Sequence, residues 1–259
     1  MSLWLYALAS VVIVSAVSLV GVFTLSLRRE RLHRLTVVLV SFAVGALLGD
    51  ALIHLLPQAF GELGLTLRIS LFVLLGMLIF FVLEKFLRWR HCHDADCAWH
   101  MGDAVKGEKG RVHPVVIMNL IGDGVHNCID GMVIAASYLV SVPLGVATTV
   151  AVVGHEIPQE IGDFGVLVHG GLSVRRALAF NFLSALAAVV GAVLSLVIGP
   201  HVKEYAQYLV PLTAGGFLYI AGSDLIPELH HDVGLRKSLV QLAAVLAGVG
   251  VMVLLKLWE

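Results

Sequence analysis

Five carboxylates and two histidines lie inside two stretches of this chain that are otherwise apolar, and that placement restricts the fold more than any other feature. The stretches are Ile121 to Ser137 (IGDGVHNCIDGMVIAAS) and Val153 to Val166 (VGHEIPQEIGDFGV). Wound as an α-helix, the first puts Asp123, His126, Asn127 and Asp130 on one face, by steps of three and four. The second sets His155 over Gln159, and Glu156 over Glu160 and Asp163. An ionisable group facing lipid costs roughly 2.5 to 3.5 kcal/mol on insertion scales. Five acids in two spans must therefore face protein, water or a cation.

That the surroundings are lipid follows from composition. The chain has 259 residues, of which 59% are hydrophobic and 14% charged, against roughly 25% charged in soluble domains. Runs of ~20 apolar residues suit a bilayer core, and a hydropathy pass gives eight of them. Their limits are 4–27, 36–57, 66–87, 114–139, 143–168, 176–199, 207–229 and 237–257. The expected fold is an all-α polytopic membrane protein, one domain over 1–259, with a soluble loop at about 88–113. The first span lacks a basic segment before it, so it reads as a retained helix and not a cleaved signal. Loops 1–2, 3–4, 5–6 and 7–8 carry fourteen of the Lys and Arg residues and the opposite side three. Basic residues collect on the cytoplasmic side, which predicts both termini outside. A net charge of -1 argues against a nucleic-acid partner, and three cysteines without secreted-domain spacing argue against a disulfide framework.

Ligand chemistry points the polar stripes toward a metal. Neutral imidazole from His126 and His155, with carboxylate from Asp130 and Glu156, is a donor set that Zn²⁺ accepts near 2.0 to 2.2 Å. Asn127, Gln159 and Glu160 stand close enough in sequence to complete or share coordination. Asp123 and Asp163 extend the stripes as further metal or gating groups. Pro158 removes a backbone donor in mid-helix, a break tolerated at membrane depth where something else satisfies the freed carbonyl. Cys128 falls about 200° around the helix from His126 and reads as packing. VHNCIDG and GHEIPQE also resemble each other on spans of opposite direction, which suggests an inverted repeat around a site near mid-bilayer.

Weaker candidates lie elsewhere. Asp50 and His54 pair at i, i+4 near the end of the second span, ahead of Pro57. The seventh span echoes that pattern with Asp224, Pro227 and Glu228, followed by His230 and His231, which could receive an outgoing ion. The loop between the third and fourth spans packs His91, Cys92, His93, Asp94, Asp96, Cys97 and His100 into ten residues. These are groups that suit divalent transition metals, without the spacing of a zinc finger, so a metal-collecting or metal-sensing loop is expected.

HNCIDG in the fourth span and HEIPQEIGDF in the fifth resemble the HNxxDG and HExPHExGDF signatures of the ZIP (Zrt/Irt-like) divalent-metal transporters. The eight spans and the His-rich loop fit the same family. The resemblance implies transport of a divalent cation, zinc foremost with Fe²⁺, Mn²⁺ and Cd²⁺ also open, toward the cytosol. It implies a two-metal site, one half from His126, Asp130, His155 and position 159, the other from Asn127, Asp130, Glu156 and position 159. Where the family pattern has a second histidine this chain has Gln159, a weaker and uncharged ligand. Short loops resemble prokaryotic members and suggest a bacterial inner membrane; the expected partners are metal ions and lipid, with a homodimer left open. Two other readings stand beside this one. An intramembrane metalloprotease would need HExxH, which Gln159 breaks; a metal exporter differs only in the direction of flux.

Overall fold

The computed structural model describes residues 3–24, 29–89, 114–201, 205–230 and 234–258. The segment 90–113, which holds the expected metal-collecting loop, and His231 lie outside the described residues. Among those described there are eight helical rods and no strand. Rod α1 runs Leu3–Val17 and continues through a tight turn, Ser18–Val20, into Gly21–Thr24. Rod α2 joins Arg29–Gly49, Asp50–Leu55 and Leu56–Leu63; α3 is Leu67–Trp89, α4 Pro114–Val140 and α5 Val142–His169. Rod α6 comprises Val174–Ala185 and Ala187–Ile198, α7 joins Tyr205–Tyr219, Ile220–Leu225 and Ile226–Leu229, and α8 is Leu235–Trp258.

Five of these rods are long and apolar enough to cross a membrane, and a shorter apolar stretch, Leu67–Leu83, lies in α3. Rods α4 and α5, of 27 and 28 residues, each span ~40 Å at 1.5 Å per residue, more than the ~30 Å hydrocarbon core. Their acids keep them off the purely apolar set. The outer surface is correspondingly oily: Leu71, Leu74 and Leu78 of α3 and Leu242, Leu246 and Leu254 of α8 are exposed. Asp50, Asp130, Glu156 and Glu160 are completely buried. Apolar outside and ionisable inside is the distribution of a protein dissolved in lipid, and the chain is a multi-pass membrane protein.

Backbone departures mark two rods. In α2 and again in α7 a six-residue π-helical turn precedes a proline, Asp50–Leu55 before Pro57 and Ile220–Leu225 before Pro227. Proline has no N–H for the carbonyl four residues earlier, that of Ile53 or Ser223, and widening the local helix is one way the ladder absorbs this. The sequence echo between the second and seventh spans thus reaches the backbone. The sequence reading ended the second span at 57, whereas the helix passes through Pro57 to Leu63.

Close packing rests on reciprocal glycines. Gly45 of α2 meets the Val245 carbonyl of α8, and Gly248 of α8 meets the Phe42 carbonyl of α2. The same exchange joins α3 to α7 through Gly76 with Leu212 and Gly215 with Val73. It joins α4 to α6 through Gly131 with Ala188 and Gly191 with Cys128. At each place a Cβ would collide with backbone oxygen, so only glycine lets the rods approach this closely. Tyr138, buried where α4 meets α1, has its hydroxyl 2.8 Å from the Ser10 hydroxyl. Rod α4 is thereby held against α1 and α6, with its polar face left to α5.

Candidate metal centre

Rods α4 and α5 run antiparallel, joined at Ser141, whose side chain accepts from the Leu144 amide and starts α5 cleanly. Their polar faces meet. His126, Asp130, His155 and Glu156 each offer one ligand atom, and these four atoms lie within 4.8 Å of one another. The His155 Nε2 is 3.0 Å from Asp130 Oδ2 and 3.5 Å from Glu156 Oε1. His126 Nε2 is 3.4 Å from His155 Nε2, 3.5 Å from Glu156 Oε1 and 3.8 Å from Asp130 Oδ2. In a tetrahedral zinc site with bonds near 2.1 Å the donors stand ~3.4 Å apart. The observed spacings bracket that value.

Hydrogen bonding says what the cluster lacks. His155 Nδ1 lies 3.2 Å from the Ala151 carbonyl, which can only accept, so Nδ1 carries the proton. Nε2 is then the ring nitrogen that faces the Asp130 oxygen. At 3.0 Å that contact has room for a proton or a cation between nitrogen and oxygen. Asp130 Oδ1 and both oxygens of Glu156 are buried without a hydrogen-bond partner. Orphaned buried carboxylate oxygens are costly, and a dication is what two of them would neutralise. Phe80 of α3 and Phe217 of α7 set their rings against His126 and His155 at centroid distances of 5.9 and 6.1 Å, limiting how far either imidazole can turn.

A second group lies toward the N-terminus of α4 and the C-terminus of α5. Asp123, Glu160 and Asp163 also offer ligand atoms within 4.8 Å of one another. Asp123 accepts from the Asn127 amide at 2.8 Å and from the Ser184 hydroxyl of α6. Glu160 Oε2 accepts from the Asn181 amide of α6 at 2.5 Å, and Asn181 also donates to the Ser18 carbonyl of α1 at 3.3 Å. In the sequence Asn181 is a lone amide within an apolar span. Its partner, a buried carboxylate on another rod, is something a lone Asn in an apolar helix cannot announce.

Of the residues singled out in the sequence, His126, Asp130, His155 and Glu156 are gathered in one cluster, and Asp123, Glu160 and Asp163 in another. Asn127 is buried, with its amide nitrogen turned to Asp123. Gln159 is half-buried on α5, one turn from His155. Asp50 and His54 are buried in the α2 π turn, with His54 Nε2 2.9 Å from the Met252 carbonyl of α8; neither belongs to the two clusters. Asp224 sits in the α7 π turn, and Glu228 and His230 are exposed beyond it. His91, Cys92, His93, Asp94, Asp96, Cys97 and His100 fall outside the described residues. Cys128 is a free, half-buried thiol, and its carbonyl meets Gly191, in keeping with a packing role.

Comparison with known proteins bears on this geometry. The family model described as ZIP Zinc transporter matches residues 1–102 and 90–256. Zinc transporter zipt-7.1 of Caenorhabditis briggsae is 30% identical, the alignment covering 100% of this chain and 80% of that one. Zinc transporter ZIP13 of Homo sapiens is 33% identical over 85% of this chain and 70% of its own length. Zinc transporter SLC39A7 of Homo sapiens is 29% identical over 98% and 71%.

Proposed function

The chain belongs to the ZIP family of zinc transporters, and on that premise we propose that it carries zinc through the membrane by way of the His126, Asp130, His155 and Glu156 cluster. The family is one of divalent-metal transporters and not of enzymes. The observation that carries the site assignment is the approach of His155 Nε2 to Asp130 Oδ2 at 3.0 Å, beside three buried carboxylate oxygens without partners. A cation satisfies all of them at once. Mixed imidazole and carboxylate ligation without thiolate also suits cargo that must be released again. In this reading Gln159, one turn along α5 from His155, adds an amide oxygen to the shell, which leaves Fe²⁺, Mn²⁺ and Cd²⁺ as competing cargo.

The direction of passage is inward in this reading. It rests on the family resemblance, while the basic residues of the loop ends, fourteen on one side against three on the other, bear on orientation alone and argue for both termini outside and the α4 N-terminus at the cytosol. The address is then a cell membrane, crossed several times. Uptake of radiolabelled zinc into oriented proteoliposomes tests both parts: flux lost in His126→Ala and Asp130→Ala with membrane insertion intact supports the site. Retained flux in both variants removes the cluster from the mechanism, and efflux in place of influx makes the chain an exporter.

A further inference from the structure

We infer that Asp123, Glu160 and Asp163 form a second cation site, built from oxygen ligands alone, that binds a divalent ion independently of the histidine cluster. On antiparallel rods the step from His126 and Asp130 to Asp123, and from His155 and Glu156 to Glu160 and Asp163, runs the same way. It amounts to five or six residues, or ~8 Å along the helix axes. The two sites therefore share no ligand and sit end to end.

Three acids close together are not a site on their own account. What points to a ligand is the state of the groups around them. Glu160 is completely buried; one of its oxygens accepts from Asn181 and the other, Oε1, has no partner. Asp163 Oδ2 is likewise buried and unpartnered. Asn181 and Asn127 are also completely buried, and each spends its amide nitrogen on this group, on Glu160 and Asp123 respectively. Both amide oxygens are left without a partner. The unmet valence here is mostly acceptor, from carboxylates and neutral amides alike, with the Asn119 Nδ2 of α4 as the one donor left open among the described residues. Rods α4 and α5 contain no Lys or Arg that could answer it. A dication answers it directly.

Ligand type separates the two sites chemically. Imidazole with carboxylate suits zinc, whereas a shell of carboxylate and amide oxygens suits harder ions such as Mn²⁺. The second site should hold Mn²⁺ with no nitrogen in the first coordination sphere. It shares with the proposed function the premise that the polar core of α4 and α5 meets dications, and it is tested by binding, without transport.

The experiment uses the full chain purified into lipid nanodiscs, with Zn²⁺ counted by equilibrium dialysis and Mn²⁺ observed by electron spin-echo spectroscopy. In the His126→Ala/His155→Ala variant one equivalent of metal is expected to remain, with no ¹⁴N modulation on bound Mn²⁺. Adding Glu160→Gln and Asp163→Asn to that background should weaken the remaining binding by more than about 100-fold. The inference is overturned if the histidine variant binds no metal, if the added substitutions leave its binding unchanged, or if Mn²⁺ that survives in it shows nitrogen coupling. Should the combined variant not fold, the parent protein decides: two Mn²⁺ populations, one free of nitrogen, support the site, and a single nitrogen-coupled population sinks it. Zinc flux retained in the histidine variant would count against the proposed transport path and not against this site.

Discussion

The interface between α4 and α5 and the interface between α4 and α6 are formed by the same rod, yet they are held by opposite means. Toward α6, Gly131 and Gly191 let backbone touch backbone, and stability comes from dispersion over a surface with no Cβ in the way. Toward α5, buried carboxylates face imidazoles and one another across a gap. One interface is complete as it stands and the other leaves buried acceptors without partners. A transporter requires both: a rigid rod to carry the ligands, and a face where binding is unfinished without cargo.

The largest expected effect tests the unfinished face. Asp130→Ala is expected to lower zinc flux into proteoliposomes by more than about 100-fold, since the carboxylate is shared by both imidazoles. The melting temperature of the metal-free protein should not fall, because a buried charge is removed. A large drop in that melting temperature would make Asp130 a structural brace and erase the contrast between the two faces. Next, Gly191→Leu drives a side chain into the Cys128 carbonyl and is expected to destabilise the membrane-embedded protein by about 3 kcal/mol or more, read as lost yield and a lower melting temperature. Here metal should give no rescue. If it does, the finished face is not independent of the ion.

Metal itself separates the faces further. Zinc at a hundred times its dissociation constant should stabilise the parent by about 2.7 kcal/mol against thermal unfolding, and chelation should reverse the shift. The Asp130→Ala/Glu156→Ala variant should show the shift reduced or absent. Smaller still, His54→Gln disturbs the contact with the Met252 carbonyl and is expected to cost about 1 kcal/mol, with zinc flux within about threefold of the parent; a complete loss of flux would bring the α2 π turn into the transport path. Last, Gln159→His should shift preference toward zinc over Mn²⁺ in competition uptake by a few fold, about 1 kcal/mol. Unchanged selectivity would mean that Gln159 does not reach the ion.

Much of this molecule was written along the chain. The number and rough limits of the rods, their insertion in lipid and the convergence of His126, Asp130, His155 and Glu156 follow from hydropathy and from steps of three and four, both local properties. A single helix repeats every 3.6 residues, so which residues share a face is fixed before any other rod is present. Which rod each face meets is not. That Glu160 turns from the histidines to Asn181, that Asn127 grips Asp123, and that His54 approaches the carbonyl of Met252 were decided by neighbours far away in sequence. The reciprocal glycines show why: two rods can come this close only where each presents a gap to the other's backbone. Complementarity of that kind belongs to the pair and is legible in neither strand of sequence alone.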